Sequence, residues 1–176
     1  MTNKFRYFIA NWKMYGDLNS LKSINKVINF VKSNKNKRFK LVYCPPYTLL
    51  SHFLKKLNKS SIDVGAQNCH EENEYGAFTG NINAKMIKNL GAKHLILGHS
   101  ENRNNGETNE IINKKINNAL KQKLNVIFCI GESLSQKRRK ETNKILRKQI
   151  IKGLKGVKKK VELLLLMNQF GQLAQG

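Results

Sequence analysis

Six short apolar runs, each the size of a β-strand, recur at an average interval of about 31 residues, and the stretches between most of them carry apolar residues at helical spacing. The runs span residues 5–10, 39–44, 61–65, 93–98, 125–130 and 161–167. After the first, Leu21, Ile24, Val27, Ile28 and Val31 trace one helix face; after the second, Leu49, Leu50, Phe53, Leu54 and Leu57 do the same. Ile112, Ile116, Ala119 and Leu120 mark a helix after the fourth run, and Leu146, Ile150 and Leu154 one after the fifth. Strands that are apolar throughout, joined by helices, predict a parallel sheet buried on both faces. The repeat matches a barrel of eight βα units and about 250 residues, whereas 176 residues hold six. An open doubly wound sheet tolerates this length, but the Gly-rich phosphate loop expected after its first strand is replaced by Asn11-Trp12-Lys13.

Lysine and arginine number 33 against 11 acidic residues, a formal net charge of +22, which raises the question of a nucleic-acid binder. The make-up of that charge argues against one. There are 27 Lys and 23 Asn, both from A-rich codons, but only six Arg and seven Ala. Arg, the residue suited to bidentate phosphate and base contacts, is the scarce one. No aromatic-basic stacking motif accompanies the charge. A codon-biased lysine coat therefore explains it better than a selected binding surface, and no nucleic-acid partner is expected. No apolar run reaches the roughly 20 residues that span a bilayer, and the N-terminus lacks a signal-peptide core. A cytoplasmic protein is expected. Cys44, Cys69 and Cys129, odd in number and without CxxC spacing, read as reduced thiols rather than a disulfide frame or a metal site.

Active sites on parallel βα folds collect at the C-terminal strand ends. The first strand ends in Asn11-Trp12-Lys13, where period-two alternation puts Asn11 and Lys13 on one side and Trp12 on the other. An amide and an ammonium emerging together suit a phosphorylated, carbonyl-bearing substrate. The fourth ends in Gly98-His99-Ser100-Glu101, a helix start that would leave His99 near a positive dipole end and hold its ring neutral. Such a ring can donate to a carbonyl oxygen or shuttle a proton, although a lone histidine is also commonly a satisfied structural group. His52, His70 and His94 keep the structural reading. The third strand ends in GAQN, followed by a long loop with Gly76-Ala77-Phe78-Thr79-Gly80; the fifth ends in Cys129-Ile130-Gly131-Glu132. A loop of that length is a surface excursion or, given Phe78, a subunit contact.

The segments NWKM, GAQN…GAFTG, GHSE and CIGE, in this order and spacing, make the chain resemble triosephosphate isomerase from residue 5 to about 160. That family is the standard worked example of a neutral electrophilic histidine opposite a glutamate base, and those roles come with the resemblance. It implies an incomplete TIM (β/α)8 barrel, α/β in class, with about six of eight strands. It implies that His99 is the electrophile, that Lys13 is catalytic and substrate-binding, and that Asn11 binds substrate beside it. Glu101 matches the family carboxylate near that lysine, Cys129 and Glu132 a structural segment close to the catalytic base, and Thr79 and Phe78 a loop that reaches toward a partner in a homodimer. The reaction implied is the glycolytic and gluconeogenic interconversion of D-glyceraldehyde 3-phosphate and dihydroxyacetone phosphate through an enediolate, without metal or organic cofactor.

Three departures accompany it. Asn81 and Asn102 stand where the family carries Glu and Arg that pair across the dimer; losing both leaves no unpaired charge. The third concerns the general base, which in the family follows strand six in a segment resembling AYEPVWAIGTG. Here the chain reads LLLLMNQFGQLAQG, with no charged residue. A set of codons can be chosen for this tail that, read one base out of register, encodes Ile-Ile-Ala-Tyr-Glu-Pro-Val-Trp-Ala-Ile-Gly-Thr-Gly, a match an arbitrary tail would seldom permit. Residues 1–162 therefore read as a partial barrel domain and 163–176 as an out-of-frame tail in place of strand six and the base loop, the slip falling in the A-rich stretch at 158–160. The general base is absent, and the chain as written is expected to be inactive. The alternatives are a catalytically dead fragment or a basic nucleic-acid-binding protein.

Overall fold

The structure, a computed structural model, describes residues 5–34, 38–158 and 163–167. Six parallel strands, β1 (Arg6–Asn11), β2 (Phe39–Cys44), β3 (Asp63–Ala66), β4 (His94–Leu97), β5 (Asn125–Ile130) and β6 (Leu163–Met167), lie side by side in sequence order. The sheet curls into an incomplete α/β barrel. Helices follow the strands: α1 (Ile24–Ser33) after a 3₁₀ turn at Leu18–Lys22, α2 (Tyr47–Leu57), α3 (Ala84–Asn89), α4 (Ser100–Asn104), α5 (Asn109–Lys121), α6 (Leu134–Arg138) and α7 (Thr142–Gly153).

Strand alternation divides the core into two layers. Val42, Cys44, Ile96, Ile127 and Cys129 point inward and meet Tyr7, Ile9 and Leu164 from β1 and β6. Their sequence neighbours Leu95, Leu97, Val126 and Phe128 point outward and pack under Ile24, Leu50, Phe53, Ile112 and Ile116 of the helices. The central strands β3, β4 and β5 are buried on both faces, as continuous apolar strands require, whereas β1 and β6 leave Phe8 and Leu165 exposed. Every apolar position assigned to a helix face from its spacing is buried or packed against this outer layer.

Differences from the sequence reading have local causes. β3 begins at Asp63 rather than Ser61, because Ser60 closes a turn after α2: its hydroxyl donates to Leu57 O (2.8 Å) and accepts from the Ile62 N–H (3.2 Å). β4 stops at Leu97 because Gly98 takes φ +74°, outside extended backbone. A βCH2 there would lie 2.9 Å from Cys129 O, so only glycine fits the approach of β4 to β5. The long third loop contains an element the periodicity did not predict, α3, whose start is capped by Asn83 Oδ1 accepting from the Met86 N–H (2.9 Å). Leu163–Met167, the first five residues of the expected out-of-frame tail, form β6 and pair in parallel with Val126–Ile130. A neighbouring strand needs only main-chain hydrogen bonds and an inward apolar side chain, which a leucine run supplies in either reading. Residues 161–162 of the expected strand and 168–176 of the tail lie outside the described residues.

At the opposite end of the sheet from the candidate site, Asp63 takes the Lys93 ammonium at 2.7 Å and His94 Nε2 at 3.2 Å. His94 therefore keeps its structural reading. The hydrogen bond from His94, opposed by burial and reinforced by Lys93, pulls the Asp63 carboxyl down to about 2. The folded value lies below the unfolded value of about 3.9, so the stabilisation is complete above that range and is lost as pH falls through about 2. Urea midpoints taken across this window are expected to fall less steeply for Asp63→Asn than for the parent chain; parallel curves would contradict the assignment.

Candidate active site

Asn11 ends β1, and its side-chain Oδ1 accepts the Lys13 N–H at 2.9 Å. Lys13 stands at φ +50°, a left-handed conformation uncommon for a residue with a side chain. Gln67, just past β3, holds it there. Its Nε2 donates to both Lys13 O and Cys44 O at 2.8 Å, and the Trp12 N–H also binds Cys44 O at 3.0 Å. Trp12 turns outward against Phe53 and Tyr43, so the alternation puts its ring in the core and the Asn11 and Lys13 groups at the mouth.

The Lys13 ammonium reaches across the mouth to Glu101 Oε1 (3.0 Å) in the first turn of α4. The other Glu101 oxygen lies 3.4 Å from His99 Nδ1. His99 is the N-cap of α4, its Nδ1 accepting the Glu101 N–H at 3.3 Å. An Nδ1 that accepts carries no proton, so the ring hydrogen sits on Nε2, away from the helix. Burial lowers the His99 pKa; Lys13 acts in the same direction and Glu101 against it. Desolvation, the largest of these causes, favours the neutral ring; α4, the helix expected to supply a dipole, is only five residues long.

The other candidates stand apart from this cluster. Cys129 is buried on β5, with its thiol pushed up to about 12 by desolvation, and is an inert packing group. Glu132 is buried and accepts from Thr142 Oγ1 at 3.2 Å. Phe78 and Thr79 sit at the exposed tip of the third loop, where Phe78 stacks on His70 with ring centroids 4.7 Å apart. Two contributors escaped the sequence reading: Gln67, and Arg103 of α4, whose guanidinium links the ends of β4 and β5. Both bond mainly to main-chain carbonyls, which leave no signature in side-chain spacing. A concavity of about 1010 Å3 lies elsewhere; it is lined by Phe5, Phe8, Phe30 and Phe39, and by no acid or histidine among the described residues. Among the described residues no group of three or more His, Cys, Asp or Glu could hold a metal ion. No helix among them is long and apolar enough to cross a membrane.

A parallel βα sheet curled into an incomplete barrel, with a lysine, a carboxylate and a histidine converging at the C-terminal strand ends, defines the class: a TIM-type barrel protein with a candidate site at its mouth. The family model for triosephosphate isomerase matches residues 6–166, and the chain belongs to that family. It is 43% identical over 152 residues to the triosephosphate isomerase of Dictyoglomus thermophilum, covering 85% of this chain and 60% of that protein. The Carboxydothermus hydrogenoformans enzyme is 42% identical over 153 residues, with the same shares of each covered. The crystal structure of triosephosphate isomerase from Bartonella henselae superimposes with a TM-score of 0.85 at 31% identity, over 92% of this chain and 67% of that one. The chain thus spans about three-fifths of the length of the curated relatives it matches.

Proposed function

We propose that this chain carries the substrate-binding and electrophilic part of a triosephosphate isomerase site, for the interconversion of D-glyceraldehyde 3-phosphate and dihydroxyacetone phosphate. The observation that carries the reading is the Lys13–Glu101–His99 cluster, with His99 neutral and its Nε2–H free of the helix. In it His99 donates to the substrate carbonyl as a carboxylate base removes the proton from the adjacent carbon. Charge moves onto the carbonyl oxygen, giving an enediolate, and His99 relays protons between its two oxygens. The Lys13 ammonium stabilises that negative charge and the phosphate, and Asn11 fixes the backbone from which Lys13 projects. Glu101 balances the ammonium. No metal or organic cofactor enters the scheme.

The carboxylate base is not in the sequence as written, and the frame-shifted reading of 163–176 supplies it. Expression of the coding region with its frame restored tests the proposal: isomerisation is expected, and His99→Gln is expected to lower kcat by about 10²–10⁴-fold. A folded, frame-restored protein without activity would overturn it. We further propose a cytoplasmic homodimer in the whole protein, with Thr79 and Phe78 inserting into the partner. Asn81 and Asn102 replace an interface ion pair in that reading. Sedimentation of the frame-restored protein is expected to show a dimer that restoring Asn81→Glu with Asn102→Arg tightens; tightening by Asn81→Glu alone would contradict the pairing.

A further inference from the structure

Arg103 is a largely buried cation whose assigned donors go to uncharged oxygens. Its Nε donates to Gly98 O (2.8 Å), Nη1 to Asn109 Oδ1 (2.8 Å) and Nη2 to Cys129 O (3.2 Å). The guanidinium carbon stands 6.0 Å from the centroid of the Phe128 ring. Gly98 is the residue before His99, so the oxygen that Arg103 holds belongs to the peptide leading into the candidate electrophile. The Arg103 N–H in turn donates to His99 O at 3.0 Å. The carbonyls on both sides of His99 are therefore bonded by one residue, and the same side chain ties them to the end of β5 and the start of α5. A planar fork fixes its acceptors in direction as well as distance, which an ammonium does not.

We infer that Arg103 is a positioning residue for His99: its fork locks the Gly98–His99 peptide against β5 and so fixes where the imidazole Nε2–H points. The inference rests on the reading of His99 as the electrophile. The charged groups facing the ring are Lys13 from the loop after β1 and Glu101 from α4, and neither changes in the variants below. Arg103→Lys keeps the charge and removes the fork, which separates positioning from electrostatics.

The test is hydrogen–deuterium exchange at the imidazole C2 carbon, followed by peptide mass spectrometry on the dilute 176-residue chain across a pH series. It reports a titration midpoint for each histidine separately. For the parent chain the His99 midpoint is expected below that of a free histidine peptide. In Arg103→Lys and Arg103→Gln it is expected to rise by about half a unit or more, as the ring gains water. A His99 midpoint unmoved in a folded Arg103→Lys variant overturns the inference, whatever the loss in stability. Should both arginine variants fail to fold, Asn109→Ala removes one acceptor and leaves Arg103 in place. A smaller rise at His99 is then expected, and no rise overturns the inference. A parent midpoint at or above the free-histidine value would instead sink the electrophile reading itself, so the two failures are distinguishable.

Discussion

Incubated with either triose phosphate, the 176-residue chain is expected to isomerise it no faster than buffer. On the proposed reading the mouth holds an ammonium and a neutral imidazole, but proton removal from carbon needs a carboxylate within hydrogen-bond reach of that carbon. The one carboxylate in the cluster, Glu101, is engaged by Lys13 at 3.0 Å and flanks His99 at 3.4 Å. Glu132 is buried and bonded to Thr142. Loss of a positioned base removes about 10²–10⁴-fold on its own. Turnover that disappears in His99→Gln would show that another group serves as base and would refute the reading.

The second large effect concerns stability. Lys115 of α5 lies buried against Glu107, its ammonium bonded to Glu107 Oε1 and, at 3.3 Å, to Asn68 Oδ1. Asn68 Nδ2 donates to the same Glu107 oxygen at 2.7 Å, and Asn68 Oδ1 also accepts the Cys69 N–H at 2.8 Å. The Tyr47 hydroxyl donates to Asn68 O. The cluster fastens the residue after Gln67 to the link between α4 and α5, beneath both halves of the candidate site. Glu107 Oε2 is buried with no hydrogen bond among the described residues, so Lys115 is the charge that makes its burial tolerable. Lys115→Ala leaves that carboxylate uncompensated and is expected to cost about 3–5 kcal/mol in urea unfolding. The double variant Lys115→Met with Glu107→Leu is expected to recover most of it, since removing both charges also removes their desolvation penalty. A single-variant loss under about 1 kcal/mol would mean that the pair is solvated.

What the sequence disclosed follows from the kind of interaction involved. β2 and β5 were legible to the residue, because Phe39–Cys44 and Asn125–Ile130 are apolar on both faces and bounded by breakers. The faces of α1, α2, α5 and α7 were legible through periodicity, whereas the short α3 and α6 were not. Asn11, Lys13, His99 and Glu101 were singled out from the strand ends together with the family resemblance, and the structure places these four at one mouth. The hidden part is polar and non-local. Lys115 falls three residues after Ile112 on the buried side of α5, but a lone lysine reads as solvated until its acid, eight residues earlier, is seen beside it. Gln67 and Arg103 bond to carbonyls 54 and 26 positions away, and carbonyl positions carry no residue-type signal. The downward direction of the His99 shift was anticipated, but its largest cause, desolvation, was not, because burial of the ring is set by non-local packing.

The central claim is that the base belongs to this protein's coding region, one base out of register with the chain as written. The nucleotide sequence across residues 158–176 tests it most directly. A run of A is expected near codons 158–160, followed by tail codons that, shifted by one base, read Ala-Tyr-Glu-Pro-Val-Trp-Ala-Ile-Gly-Thr-Gly and continue without a stop. Tail codons that cannot yield that segment in either shifted frame would contradict it.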